Sequence, residues 1–243
     1  LGKVNFSSSF ISYFSLIAVL GITRYAAREG VQFRDDPKKL KTFSNELFTL
    51  NLLTTLIAYL ALVAVCASVK SVHPYIGLIA IYSATILFST LSMEWMYTLQ
   101  EDYTFITIKS IVMQFLSMVL LFIFVREQQD YYIYATVNVF ASVGGNIFDI
   151  FYVRKKYVKV KIVFAKRIFK HLTPCLIFFF SSIASSIYSH IDTTMLGFMS
   201  GDYYTGIYGV AQKIYGMVKM ILAAIMTVTI PRLTLYRAKN MDA

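Results

Sequence analysis

Five stretches of the chain, 4–23, 47–69, 71–93, 131–148 and 171–191, run for 18 residues or more without Asp, Glu, Lys or Arg. A helix rises 1.5 Å per residue, so about 20 apolar residues cross the hydrocarbon core of a bilayer. Two further stretches, 103–125 and 203–230, would qualify but for Lys109, and for Lys213 and Lys219. The pattern predicts an all-α polytopic membrane protein with about seven transmembrane helices. Composition agrees: 57% of the residues are hydrophobic and 15% charged, against roughly 45–50% and 25% in soluble domains.

The net charge of +10 would suggest nucleic acid in a soluble protein, but here its placement explains it. Arg24, Arg28, Arg34, Lys38, Lys39 and Lys41 follow the first helix. Eight cations, from Arg154 to Lys170, follow the fifth, and Arg232, Arg237 and Lys239 close the chain. The alternate loops carry only Lys70 and Arg126, with Lys3 at the start. Positively charged loops stay in the cytoplasm, and a split of 17 to 3 predicts Leu1 outside and Ala243 inside. Nucleic-acid binding is not needed to account for the charge. Cys66 and Cys175 fall at opposite membrane faces in this topology, too far apart for a disulfide. The three histidines are too scattered for a metal site, and no cofactor is expected.

The loops on the outer side are short: 70–73, 126–130 and 201–202. They leave little room for an enzyme acting on an external polymer, and no nucleophile–base pair is visible. The long basic segment 154–173 places Phe164, Ile168 and Leu172 at i, i+4 and i+8, with Lys166, Arg167 and Lys170 on another face. This spacing predicts an amphipathic linker in the membrane interface; a basic loop held by anionic phospholipid is the other reading. An offset of 204 places Gly2 on Gly206 and Arg28 on Arg232, matching the first helix with the seventh. Transporters are often built from two such halves.

Three blocks carry a resemblance: "GKVNFSSSFISYFSLIAVLGITRYAAREG" at the start, "EWMYTLQEDYTFITIKSI" at 94–111 and "HIDTTMLGFMSGDYYTGIYGVAQKI" at 190–214. Together they resemble the bacterial polysaccharide flippases, which belong with the multidrug and oligosaccharidyl-lipid exporters. The resemblance implies two lobes that alternate access to a central cavity. It assigns 1–153 to the N-lobe with the family's first helix missing, 154–173 to the cytoplasmic linker and 174–243 to the first two helices of the C-lobe. On this reading the chain is a fragment. It departs from the family after Glu94-Trp95, where Thr98-Leu99-Gln100 stands in place of a Gln-Gly turn.

The function implied is movement of an undecaprenyl-diphosphate-linked oligosaccharide repeat unit across the bacterial inner membrane, not an enzymatic step. Polysaccharide assembly proteins are the implied partners. A cation or drug exporter of the same architecture, or an inactive truncated fragment, are the rival expectations.

Ionisable side chains in a bilayer are costly, by roughly 2.5–3.5 kcal/mol on insertion scales, and usually face the interior along a pathway. Lys109 and Asp149 lie near helix ends, where snorkelling accounts for them; Lys219 is deeper. Asp192 and Lys213 are nearly equidistant from a hairpin turn at residue 202, which predicts an ion pair near mid-membrane that either fixes helix packing or, with Lys219, is broken by ligands or protons during transport. Arg24, Arg28 and Arg232 gather at cytoplasmic helix ends. Guanidinium forks suit a pyrophosphate, although the positive-inside rule alone also accounts for them. Serines 181, 185 and 189, like 182 and 186, recur at four-residue spacing opposite Gly206, Gly209 and Gly216. This predicts close helix packing. The tyrosines at 131–134 and 202–208 form an aromatic belt.

Overall fold

The computed structural model describes residues 1–163 and 166–241, with side chains described through Ala223 apart from Gln128. Ten α-helices account for nearly all of it: α1 (Gly2–Val19), α2 (Ile22–Gly30), α3 (Pro37–Ser68), α4 (Ile76–Leu91), α5 (Glu94–Gln100), α6 (Tyr103–Phe124), α7 (Tyr131–Val143), α8 (Asn146–Lys156), α9 (Leu172–Met199) and α10 (Gly201–Met241). Stacked end to end, these give six helical spans long and apolar enough to cross a membrane: Gly2–Phe33, Pro37–Ser68, Lys70–Gln100, Tyr103–Phe124, Tyr131–Lys156 and Lys166–Met199. The seventh expected crossing, 203–230, runs inside α10, and its side chains beyond Ala223 lie outside the described residues.

Helix α1 is the axis of the bundle, packed against α3, α4, α9 and α10. This explains its unusual composition. It is enclosed by protein rather than lipid, so Ser7 and Ser9 are buried beside Phe6, Phe10, Ile11 and Phe14. The outer helices are the reverse. Phe122 is 78% exposed and Ile177 69%, values that suit side chains solvated by acyl chains. Thr54 donates from α3 to the carbonyl of Ala18 on α1, and Thr55 pairs with Thr90 of α4 at 2.6 Å. Such hydroxyl contacts join helices that have no hydrophobic drive to associate in lipid.

The break between α1 and α2 lies at Leu20 (φ 44°) and Gly21 (φ 69°), both left-handed. There the chain passes directly over α9. A Cβ on Gly21 would stand 2.7 Å from the Cys175 carbonyl oxygen and from the Phe179 amide nitrogen. A second break, at Met93 (φ 42°), turns the chain into α5, which buries Trp95, Met96, Tyr97 and Leu99.

The linker differs from its expected form. Rather than one interfacial helix, α8 stops at Lys156, residues 158–163 form no regular secondary structure, and Lys166–His171 forms a 3₁₀ turn leading into α9. Side chains of α3 hold this irregular piece. Asn45 Oδ1 accepts from the Lys161 amide at 2.8 Å, and Thr49 Oγ1 from the Val163 amide at 3.0 Å. Val158 and Val160 are buried. Phe164, the first member of the predicted stripe, lies outside the described residues; Ile168 is buried as expected.

Candidate functional site

Helices α9 and α10 form an antiparallel hairpin that reverses at Ser200–Gly201, where Gly201 has φ 77°. Tyr188, Ser189 and Asp192 from α9, and Tyr208, Gln212, Tyr215 and Lys219 from α10, line a cavity of about 550 Å³. Their spacing of three or four residues places each set on one helix face. The Tyr208 hydroxyl donates to Asp192 Oδ2 at 2.7 Å, and Gln212 Nε2 donates to the Tyr208 oxygen at 3.2 Å. A carboxylate, an amide, an ammonium and three phenol rings thus share one wall. Tyrosine faces with fixed donors and acceptors suit a polar ring-shaped ligand.

The expected partner of Asp192 is corrected. Among the described residues no ion pair joins it to Lys213, whose ammonium instead donates to the Tyr134 hydroxyl of α7 at 2.9 Å. The reason is the position of the turn. With the apex at 200–201, the residues level with Asp192 are Tyr208 and Gly209. Lys213 lies four residues beyond Gly209, about 6 Å deeper, and on a different face from Gln212. Lys219 does line the Asp192 cavity.

Arg24 and Arg28 are exposed on α2, whose buried side carries Ile22, Tyr25 and Ala26. Among the described residues, neither guanidinium meets a carboxylate. The side chain of Arg232 lies outside the described residues, as does the clustering expected of it. Of the small residues, Gly206 and Gly209 pack against Gly2 and Asn5 of α1 rather than against the α9 serines; Gly216 has nothing within 4 Å. Ser186 also lines a cavity, a different one from that of Ser189. With Ser8, Ser12 and Ser15 of α1 and Ser142 of α7 it surrounds about 380 Å³ of hydroxyl-rich space.

Three polar clusters escaped the sequence reading. In the first, Lys109 and Asp149 do not snorkel but pair, Nζ to Oδ2 at 2.6 Å, with side chains 14% and 0% exposed. Tyr97 donates to Asp149 Oδ1 at 3.2 Å, and Lys109 also donates to Asn146 Oδ1 at 3.2 Å. In the second, Asp102 at the α5–α6 turn accepts from Lys156 at 2.7 Å, Tyr157 at 2.6 Å and Tyr152 at 2.9 Å. Lys156 and then Tyr157 hold its carboxyl down at about 2. In the third, His171 bridges Tyr25 (Nδ1, 2.8 Å) and Glu46 (Nε2, 2.9 Å), joining α2 and α3 to the foot of α9.

The bundle, with its polar groups buried between long apolar helices, defines a multi-pass membrane protein. A family profile described as "Polysaccharide biosynthesis protein" matches residues 1–236, and the chain belongs to that family. It is 28% identical over 193 residues to a Shigella dysenteriae protein named "Putative O-antigen transporter". That alignment takes in 74% of this chain and 48% of the relative, so the chain spans about half the relative's length. No solved structure matches the chain.

Proposed function

We propose that this chain belongs to a flippase that carries a lipid-diphosphate-linked oligosaccharide repeat unit from the inner to the outer leaflet of the bacterial cytoplasmic membrane by alternating access. In this reading 1–153 forms one lobe, 154–173 the linker and 174–243 the start of the second lobe.

The observation that carries the proposal is how α1 meets α10. The two helices touch at their first turns. Gly2 lies against Asp202 and Gly206, Asn5 against Gly209, and Tyr75 donates to Asp202 Oδ1 at 2.9 Å. Gly2 and Gly206 are the residues that the offset of 204 aligns. From Ala211 to Ala223, α10 is exposed except at Gln212. We read these two helices, joined at their first turns and with α10 exposed beyond Ala211, as those of a carrier closed at the Leu1 end and open at the basic end. In this reading Arg24, Arg28 and Arg232 would take the diphosphate at that open end. The cavity of Asp192, Tyr208, Gln212 and Lys219 would take sugar.

Two experiments test this reading in the natural full-length protein. Arg28→Lys and Arg232→Lys keep the charge but lose the planar fork. Each is expected to lower export of repeat units about tenfold, taking one unit of 1.4 kcal/mol for a lost bidentate contact. Normal export by both variants would reduce these arginines to topology signals. The orientation is tested in intact cells with an impermeant thiol reagent, on a Cys66→Ala background. A cysteine placed at Lys70 should react and one at Lys156 should not; the opposite pattern would invert the carrier.

A further inference from the structure

A cavity of about 710 Å³ lies away from the α9–α10 hairpin, between α2, the start of α3 and the Lys166–His171 turn. Lys38, Lys39, Arg167 and Lys170 line it, with Glu46 and His171 buried at its floor. Four cations and two carboxylates, Glu46 and Glu29, face the space.

The carboxylates do not neutralise it. Glu46 is already committed: its Oε2 meets Lys170 Nζ at 2.7 Å and His171 Nε2 at 2.9 Å, and its Oε1 stands 4.0 Å from Arg167 Nε. Glu29 Oε2 accepts from Gln32. Lys39 makes only an exposed contact of 3.4 Å with Asp36 at the rim, the kind of pair that contributes little. Among the described residues, Lys38 Nζ has no partner, and Lys39 and Arg167 on the same cavity have only long contacts of 3.4 and 4.0 Å. The unmatched charge is positive.

The walls say what kind of anion fits. Phe33 and Phe43 form one side, 5.1 Å apart between ring centroids, and Thr42 lies beside Phe43. A small inorganic ion has no use for an aromatic wall. A molecule with phosphate at one end and glycerol and acyl carbon at the other uses both. The cavity also lies at the end of the bundle that carries most of the basic residues. Basic pockets between membrane helices are where anionic headgroups collect.

We infer that this cavity, made by Lys38, Lys39 and Arg167 over the Glu46–His171 floor and walled by Phe33 and Phe43, is a binding site for the phosphate headgroup of an anionic phospholipid. The site is separate from Arg24 and Arg28, and it stands whether or not those arginines bind a diphosphate. A lipid seated there touches α2, α3 and the linker at once, and so joins the chain's two groups of helices at their basic end.

Native mass spectrometry of the purified chain tests this, using phosphatidylglycerol, phosphatidylcholine and inorganic pyrophosphate as probes. The wild type should retain phosphatidylglycerol in preference to phosphatidylcholine. The variant Lys38→Gln/Lys39→Gln/Arg167→Gln should retain about tenfold less of it or lower still, with unchanged melting in phosphatidylcholine nanodiscs. Lys38→Glu alone, at a partnerless exposed side chain, should produce most of that loss and does not depend on the triple variant folding. Arg24→Gln/Arg28→Gln, outside the cavity, should retain phosphatidylglycerol as the wild type does. Equal retention by wild type and both cavity variants would overturn the site, and so would equal loss in the Arg24/Arg28 variant, which would mean general surface charge. Displacement of phosphatidylglycerol by millimolar pyrophosphate would make the occupant a soluble diphosphate and overturn the lipid assignment.

Discussion

Replacing Lys109 with Met is expected to destabilise the folded chain by about 3–5 kcal/mol, the range seen when one partner of a buried ion pair is removed. The side chain it leaves behind explains the size of the effect. Asp149 is fully buried, and its Oδ2 has Lys109 as its partner at 2.6 Å. Tyr97 reaches only the other oxygen. Methionine fills the lysine's space, so packing is kept and the loss is electrostatic. Lys109→Met/Asp149→Leu removes both charges and should recover most of the melting temperature, since the Tyr97 hydroxyl still has the carbonyl of residue 149 at 3.2 Å. Melting curves of the three proteins in one detergent decide the matter. A double variant no better than the single would mean that Lys109 supports the helices by packing and not by charge.

A comparable loss is expected from Gly21→Val. Left-handed backbone costs an L-residue roughly 1–2 kcal/mol, and more for a β-branched one. The new Cβ would also meet backbone atoms of Cys175 and Phe179 at 2.7 Å, and backbone cannot swing aside as a flexible side chain can. The α1–α2 break would have to move off α9, opening the contact between them. Gly216→Ala is the control: nothing lies within 4 Å of its Cβ, and alanine in a helix interior gains about 0.5–1 kcal/mol over glycine. A Gly21→Val protein that melts with the wild type would remove the close approach from the account.

The spans were legible because hydrocarbon imposes one severe demand: some 20 residues with almost no charge. The partners of the buried charges were less legible, for a geometric reason. Charge pairing across a hairpin is found by counting from its turn, and an error in the turn is doubled at the partner. An apex at 202 instead of 200–201 shifts the residue level with Asp192 from Tyr208 or Gly209 to Gln212, next to Lys213. The same counting finds the pair that was read as snorkelling. Lys109 lies 19 residues before Gln128, and Asp149 lies 19 residues after Asp130, at the two edges of the Gln128–Asp130 turn. The linker was misread for a different reason. Its spacing of 164, 168 and 172 is helical, but Asn45 and Thr49, more than a hundred positions earlier, take the amides of Lys161 and Val163. A local pattern cannot reveal a tertiary hydrogen bond.

Transport itself is the central claim, and flipping by the natural full-length protein in proteoliposomes measures it directly. A lipid-diphosphate oligosaccharide is loaded into the leaflet facing the basic end, and its sugars are exposed to an impermeant oxidant on the other side. The account predicts oxidation well above that in empty vesicles. It also predicts that Asp192→Asn/Lys219→Gln slows oxidation while the protein melts normally. Oxidation no faster than in empty vesicles, or transport of a cationic dye in preference to the diphosphate lipid, would contradict it.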